Sequence, residues 1–173
     1  MSVNFMNPFL KAAKTVLATE VGATVSRGDV ALENTCYTPS DVTVLLSVVG
    51  DVRGVVLYSM STEMALNMVS TMLGQEMQEF DELAQSGIAE MGNVITGIAT
   101  THLAEAGYRC SISVPTLIVG RGTMLSTLDF KRLVVPLDTS IGKMSIHIAL
   151  REDPRAAGGY APANGKHAMP ERT

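Results

Sequence analysis

The sequence predicts an α+β fold: a largely antiparallel sheet with two or three helices layered on it. Three observations carry this. Strand-length apolar runs come in pairs around short turn signals, 42–49 with 52–60 at Gly50-Asp51, and 133–137 with 143–150 at Thr139-Ser140-Ile141-Gly142. Helical patterns stand in blocks beside these pairs and do not alternate with single strands, as a parallel sheet would need. The chain has 173 residues, 46% of them hydrophobic, enough for one domain with a substantial core.

The elements follow in order. Asn7-Pro8 opens a helix in which Phe9, Leu10, Ala13, Val16 and Leu17 recur at helical spacing. Gly22 ends it. Residues 31–37 read as a short mixed strand. Residues 42–49 are almost continuously apolar, the pattern of a strand buried on both faces, and 52–60 form its hairpin partner. Ser61-Thr62-Glu63 begins a second helix with Ala65, Met68, Val69 and Met72 on one face, and Gly74 stops it. A longer helix covers about 80–106 and closes at Gly107. Residues 109–114 form a strand that must end or bulge at Pro115, which has no N–H for a ladder; 116–119 continue it. In the last strand Met144, Ile146, Ile148 and Leu150 face one way, with Ser145, His147 and Ala149 facing the other. The folded domain is therefore expected over 1–152. Residues 153–173 contain no Val, Ile, Leu or Phe and are punctuated by Pro and Gly, so they read as a flexible C-terminal tail.

Composition excludes several functions. Lys+Arg total 13 against 17 Asp+Glu, a net charge of −4, which argues against a nucleic-acid binder. Trp is absent and aromatics are 5%, so stacking platforms for bases or sugars are not expected. The apolar runs are too short to span a bilayer, and Met1 to Pro8 lack the basic start of a secretory signal. A cytoplasmic protein with no membrane contact is the expectation. Cys36 and Cys110 are far apart and outside any CxxC, so they read as reduced core thiols and not as a zinc or disulfide framework. No Walker A or GxGxxG loop is present. Charged residues are only 17%, against about 25% in ordinary soluble domains, so some apolar surface is expected to meet a partner or a second copy.

The long helix carries the one constellation with chemistry. At about 100° per residue, Ile88, Met91, Ile95, Ile98 and His102 share an arc of roughly 80°, read as the buried stripe. Ser86, Glu90, Asn93 and Gly97 share a second arc of roughly 60°, nearly opposite. A carboxylate there can bind a cation on a partner, and an amide can hold a water in a set orientation by donating and accepting at once. The strip lacks an activated nucleophile and a metal-ligand set. Gly97, one turn after Asn93, would let a partner approach closely. The plain alternative is a Glu and an Asn on the wet face of an amphipathic helix. Against it, a helix interior that accepts Gly87, Gly92, Asn93 and Gly97 is locally inconsistent, and such violations often mark functional sites.

Ser86-x-x-x-Glu90-x-x-Asn93, followed some twenty residues later by Pro115, resembles the motif of the CheC/CheX/FliY phosphatases of bacterial chemotaxis. The Asn7-Pro8-Phe9 helix start, the strand Gly54-Val55-Val56-Leu57 with Ser59-Met60, and the helix closing on Met72-Leu73-Gly74 resemble the CheX branch, over about residues 4–150. The resemblance implies an aspartyl-phosphate phosphatase acting on a CheY-type receiver. It implies that Glu90 pairs with the receiver's active-site lysine and that Asn93 inserts beside the phosphoaspartate to orient the attacking water. Ser86 matches a position taken by Asp or Ser, and Pro115 is a shape determinant. Mg²⁺ would sit on the receiver, leaving this chain without a cofactor of its own. CheC-type members carry two motifs. The first helix here offers Glu20 without Glu-x-x-Asn, and Glu63-x-x-x-Asn67 has the wrong spacing, so the single site implies a CheX-like homodimer. Two other readings stay open: a non-catalytic module of the same fold that docks on a receiver or a flagellar switch protein, and an unrelated small-molecule enzyme. The last would want paired carboxylates or a His in a pocket, whereas His102 and His147 read as satisfied structural histidines.

Overall fold

The computed structural model describes residues 5–33, 36–37, 40–120, 122, 124–127 and 131–154. In chain order these form α1 (Met6–Val21), β1 (Val25–Arg27), β2 (Ala31–Glu33), β3 (Cys36–Tyr37), β4 (Val42–Gly50), β5 (Val52–Met60), α2 (Thr62–Leu73), α3 (Glu82–Glu105), β6 (Cys110–Ile112), β7 (Thr116–Val119), β8 (Leu125–Ser126), β9 (Arg132–Thr139) and β10 (Gly142–Glu152). The two expected hairpins, β4–β5 and β9–β10, join through β5 against β10. The sheet then runs β1-β9-β10-β5-β4-β6, with β2 also on β9 and β7 also on β4. All of these pairings are antiparallel. The α+β class is as expected.

Local chemistry sets the boundaries. Gly22 and Gly74 end α1 and α2 in the left-handed region, at φ 63° and 66°, which costs glycine little. The Ser61 hydroxyl accepts the Met64 amide at 3.2 Å and caps α2; the Asp81 carboxylate accepts the Ala84 amide at 2.9 Å and caps α3. Between β6 and β7 the register on β4 slips by one residue: Val48 faces Ile112, but Leu45 faces Thr116. Pro115 sits in that bulge, as its missing N–H requires.

Two expectations change, and two short strands are added. The strand over 31–37 is two strands with different partners, β2 on β9 and β3 on β8. β1 and β8 carry no pattern of their own and are set by pairing with β9 and β3. The strand expected over 109–114 is only Cys110–Ile112.

The helices cover one face of the sheet. Phe9, Ala13, Val16 and Leu17 of α1 pack there with Val42, Val44, Leu46, Val56, Ile146 and Ile148. The alternation in β10 is as expected, but its second face is buried as well: His147 and Ala149 lie there with Thr43, Leu57, Ser59 and Arg132. Its polar members are partnered. Thr43 and Ser59 hydroxyls are 2.9 Å apart, Ser145 and His147 Nε2 2.8 Å, and Arg132 reaches Glu33 at 3.0 Å. Burial, helped by the Arg132 charge, pushes His147 down to about 4. Cys110 is a free thiol, only half-buried, and desolvation raises its pKa. The Cys36 side chain lies outside the described residues.

The expected tail falls mostly at 155–173, outside the described residues. At its start, the Asp153 amide donates to the Asp51 carbonyl at 2.8 Å, and its carboxylate lies 3.7 Å from Arg53. Among the described residues no helix is long and apolar enough to cross a membrane.

Candidate functional site

Helix α3 is clamped to the sheet by small residues. Its buried side comprises Ala84, Ile88, Met91, Gly92, Ile95, Thr96, Ala99 and Leu103. This is the expected stripe turned by roughly 50° toward Gly92 and Thr96. The physical reason is Gly92: a Cβ placed there would lie 2.7 Å from Val44 Cγ1, so only glycine lets the helix come this close to β4. Thr96 then donates its hydroxyl to the Gly92 carbonyl at 2.7 Å, and the buried Tyr58 hydroxyl donates to Thr96 at 2.8 Å. Burial raises the Tyr58 pKa, keeping it a neutral donor. The rotation leaves His102 at the margin of the buried face. It is partly exposed, with Nδ1 3.1 Å from the Glu105 carboxylate.

The opposite strip is laid out as the spacing predicts. Ser86 and Glu90 are exposed; Asn93 and Gly97 are partly exposed. Asn93 Nδ2 donates to Glu90 Oε2 in a long hydrogen bond of 3.4 Å. The glycines of the helix divide by cause. Gly87 packs on α2, where a Cβ would meet Val69 at 3.2 Å, and Gly92 packs on β4. At Gly97 nothing lies within 4 Å of a Cβ, so the fold itself gives no reason for glycine there.

This strip offers one carboxylate, one amide and one hydroxyl on a rigid helix. It can pair with a cation and orient a water; its carboxylate bonds Asn93 and not Ser86, so the hydroxyl is not set up as a nucleophile. Among the described residues no group of three or more His, Cys, Asp and Glu could hold a metal. Pro115 lies in the β6–β7 bulge and not on the helix. Asn67 of the wrongly spaced Glu63–Asn67 pair is used structurally, donating to the Ile141 carbonyl at 3.4 Å, with Met64 and Met68 in the core beside it. Sequence reasoning passed over Leu83 and Val94, exposed apolar residues on the same strip. The helical angle that groups Ser86 with Glu90 would have grouped them too.

Comparison with known proteins gives the family and the fold. The family model described as chemotaxis phosphatase CheX matches residues 42–138, more than half of the chain and including Ser86, Glu90, Asn93 and Pro115. The chain belongs to the CheX family. A CheY-P phosphatase CheX of Thermotoga maritima is 29% identical over 122 residues, covering 70% of this chain and 79% of that one. A CheC-like superfamily protein of Shewanella sp. PV-4 superposes with a TM-score of 0.80 at 25% identity, covering 87% of this chain and 99% of that one. The CheX of a CheX–CheY–BeF3–Mg²⁺ complex from Borrelia burgdorferi gives a TM-score of 0.72 at 25% identity, covering 87% of this chain and all of that one. The CheX family fold is thus shared over most of the chain, and α3 with its exposed strip lies inside the matched region.

Proposed function

We propose that this chain dephosphorylates the phosphoaspartate of a CheY-type receiver through Glu90 and Asn93. The observation that carries the reading is the Glu90–Asn93 pair, 3.4 Å apart on the exposed strip of a helix whose other side is locked to the sheet. The Glu90 carboxylate docks on the receiver's active-site lysine. Asn93 enters beside the phosphoaspartate and holds a water in line. A water-oxygen–phosphorus bond forms as the bond to the aspartyl oxygen breaks, giving inorganic phosphate and a free carboxylate. Phosphoryl transfer of this kind is accelerated chiefly by positioning and charge stabilisation, which an amide can supply without acting as a base. Ser86 and Gly97 belong to the docking strip. Mg²⁺ is held by the receiver, as the family's complex with CheY and Mg²⁺ supports. The folded domain ends near residue 152, with the remainder as a tail, and the protein works in the cytoplasm, where a receiver would be met.

The same reading makes the chain a homodimer. The support lies at one edge of the sheet: residues 111–119 contain no charged side chain, and Val114 and Val119 are 83% and 53% exposed. Edge strands are normally guarded by charge, so an uncharged one suits a second copy.

The test of the catalytic assignment is phosphate release from a phosphorylated receiver with wild type and Asn93→Ala side by side. Acceleration by wild type, lost in Asn93→Ala while receiver binding is retained, is the expected result. Glu90→Ala should weaken binding as well. Binding without acceleration by wild type would instead establish a non-catalytic receiver-docking module.

A further inference from the structure

We infer that Leu83 and Val94 are the apolar anchors that set affinity for the receiver, one on each side of Glu90. The inference rests on the proposed function and names the contacts that reading leaves open. Relative to Glu90, Leu83 and Val94 lie within about 40° around the helix. Along the axis they lie about 10 Å before it and about 6 Å after it. Leu83 is 51% and Val94 37% exposed. Each is a single exposed apolar residue, which on its own is ordinary.

Two further features make the strip unlike a wet helix face. Leu83, Ser86, Glu90, Asn93, Val94, Gly97, Thr101 and Ala104 contain a single charge, that of Glu90. The other charges of α3, Glu82 and Glu105, lie at its two ends and outside this arc. Depletion of charge around a few apolar side chains characterises the centre of a protein interface. Second, Gly97 lacks a side chain and lowers helix propensity where no packing within the chain requires glycine. The occupant is the phosphorylated receiver. Asn93 can reach a phosphoaspartate only if the surface around that site closes on this strip, and Leu83 and Val94 are the apolar groups it would then cover. Glu90 supplies charge for the receiver's lysine; Leu83 and Val94 supply contact area and decide which receiver rims fit.

The experiment compares wild type, Leu83→Gln, Val94→Gln and the double variant. Binding to a beryllofluoride–Mg²⁺ receiver is measured by fluorescence anisotropy, and phosphate release is measured across receiver concentration. Sedimentation and thermal melts are run on the same samples. Each single variant should raise Kd and KM, about tenfold for Leu83 and less for Val94. The double should raise them by roughly the product of the two. Turnover at saturating receiver should stay within about twofold, and the melting temperature should fall by no more than a few degrees, because about half of Leu83 and over a third of Val94 face solvent already. Unchanged Kd and KM in the double variant would overturn the inference with the phosphatase reading intact. A fall in kcat alone would overturn it too, as would a shift in sedimentation to a smaller species, which would assign the strip to a second copy. Wild type that neither binds nor dephosphorylates any receiver would overturn the proposed function itself.

Discussion

Replacing Gly97 by Ala should make the protein more stable and a worse phosphatase. An interior helical glycine costs about 1 kcal/mol relative to alanine, because the unfolded chain loses more freedom on folding. That gain is usually offset where the new methyl meets a neighbour. Here nothing lies within 4 Å of the Cβ position, so no clash subtracts from it. Gly97 is also absent from the positive-φ glycines, so alanine adopts the same backbone without strain. The expected rise in melting temperature is about 2–4 °C for a chain of this size. Gly92→Ala is the internal control: its methyl would meet Val44 Cγ1 at 2.7 Å, which forces α3 off β4 and costs roughly 1–3 kcal/mol.

Function should move the other way. If the receiver closes on the strip one turn beyond Asn93, a methyl at Gly97 overpacks the interface by a similar 1–3 kcal/mol, raising KM by about five- to 150-fold. Thermal melting and steady-state phosphate release on the same preparation decide it. A higher melting temperature with unchanged kcat/KM would remove Gly97 from the docking surface. A lower melting temperature would refute the claim that the glycine is dispensable to the fold.

Two further outcomes follow from buried polar groups. Thr96→Val strands the Tyr58 hydroxyl and should cost about 1–3 kcal/mol, more than Tyr58→Phe, which leaves Thr96 bonded to the Gly92 carbonyl; the double variant should recover part of the loss, as urea titration would reveal. His147 is held near 4 against an ordinary 6.5, so the unfolded chain binds its proton first, and stability from this group is complete above pH 6.5 and lost as pH falls toward 4. The loss is at most about 3 kcal/mol, and thermal melts should fall less steeply over that window in His147→Gln than in wild type.

How much of this was legible in the sequence depends on what fixed each element. The β5 boundaries and the ends of α2 could be read directly, because a turn at Gly50-Asp51, a Ser61 cap and a Gly74 stop are local signals. β1 and β8 could not, since three and two residues respectively carry no periodicity and are strands only through their partners. The burial of the second sheet face is illegible in the sequence for a related reason. Ser145, His147 and Ala149 look like a wet face until the pairing with β9 puts Arg132, itself bonded to the distant Glu33, on the same side.

The site was legible in its exposed half and misread in its buried half. The spacing of Ser86, Glu90, Asn93 and Gly97 puts them on one exposed to half-exposed strip, because helical angle alone sets which residues share a face. Periodicity of the large apolar residues puts the buried stripe through them, whereas α3 meets the sheet through Gly92 and Thr96, which hydropathy ranks low. This error bears on mechanism. Catalysis by positioning needs an element held within fractions of an ångström. Gly92 immediately precedes Asn93. The contact that presses Gly92 onto Val44, and the Tyr58–Thr96–Gly92 hydrogen-bond chain that secures it, fix the backbone from which the Asn93 amide projects. The glycines that make the helix look inconsistent thus divide: Gly92 holds the helix in place from behind, and in the proposed reading Gly97 keeps its front bare for the receiver.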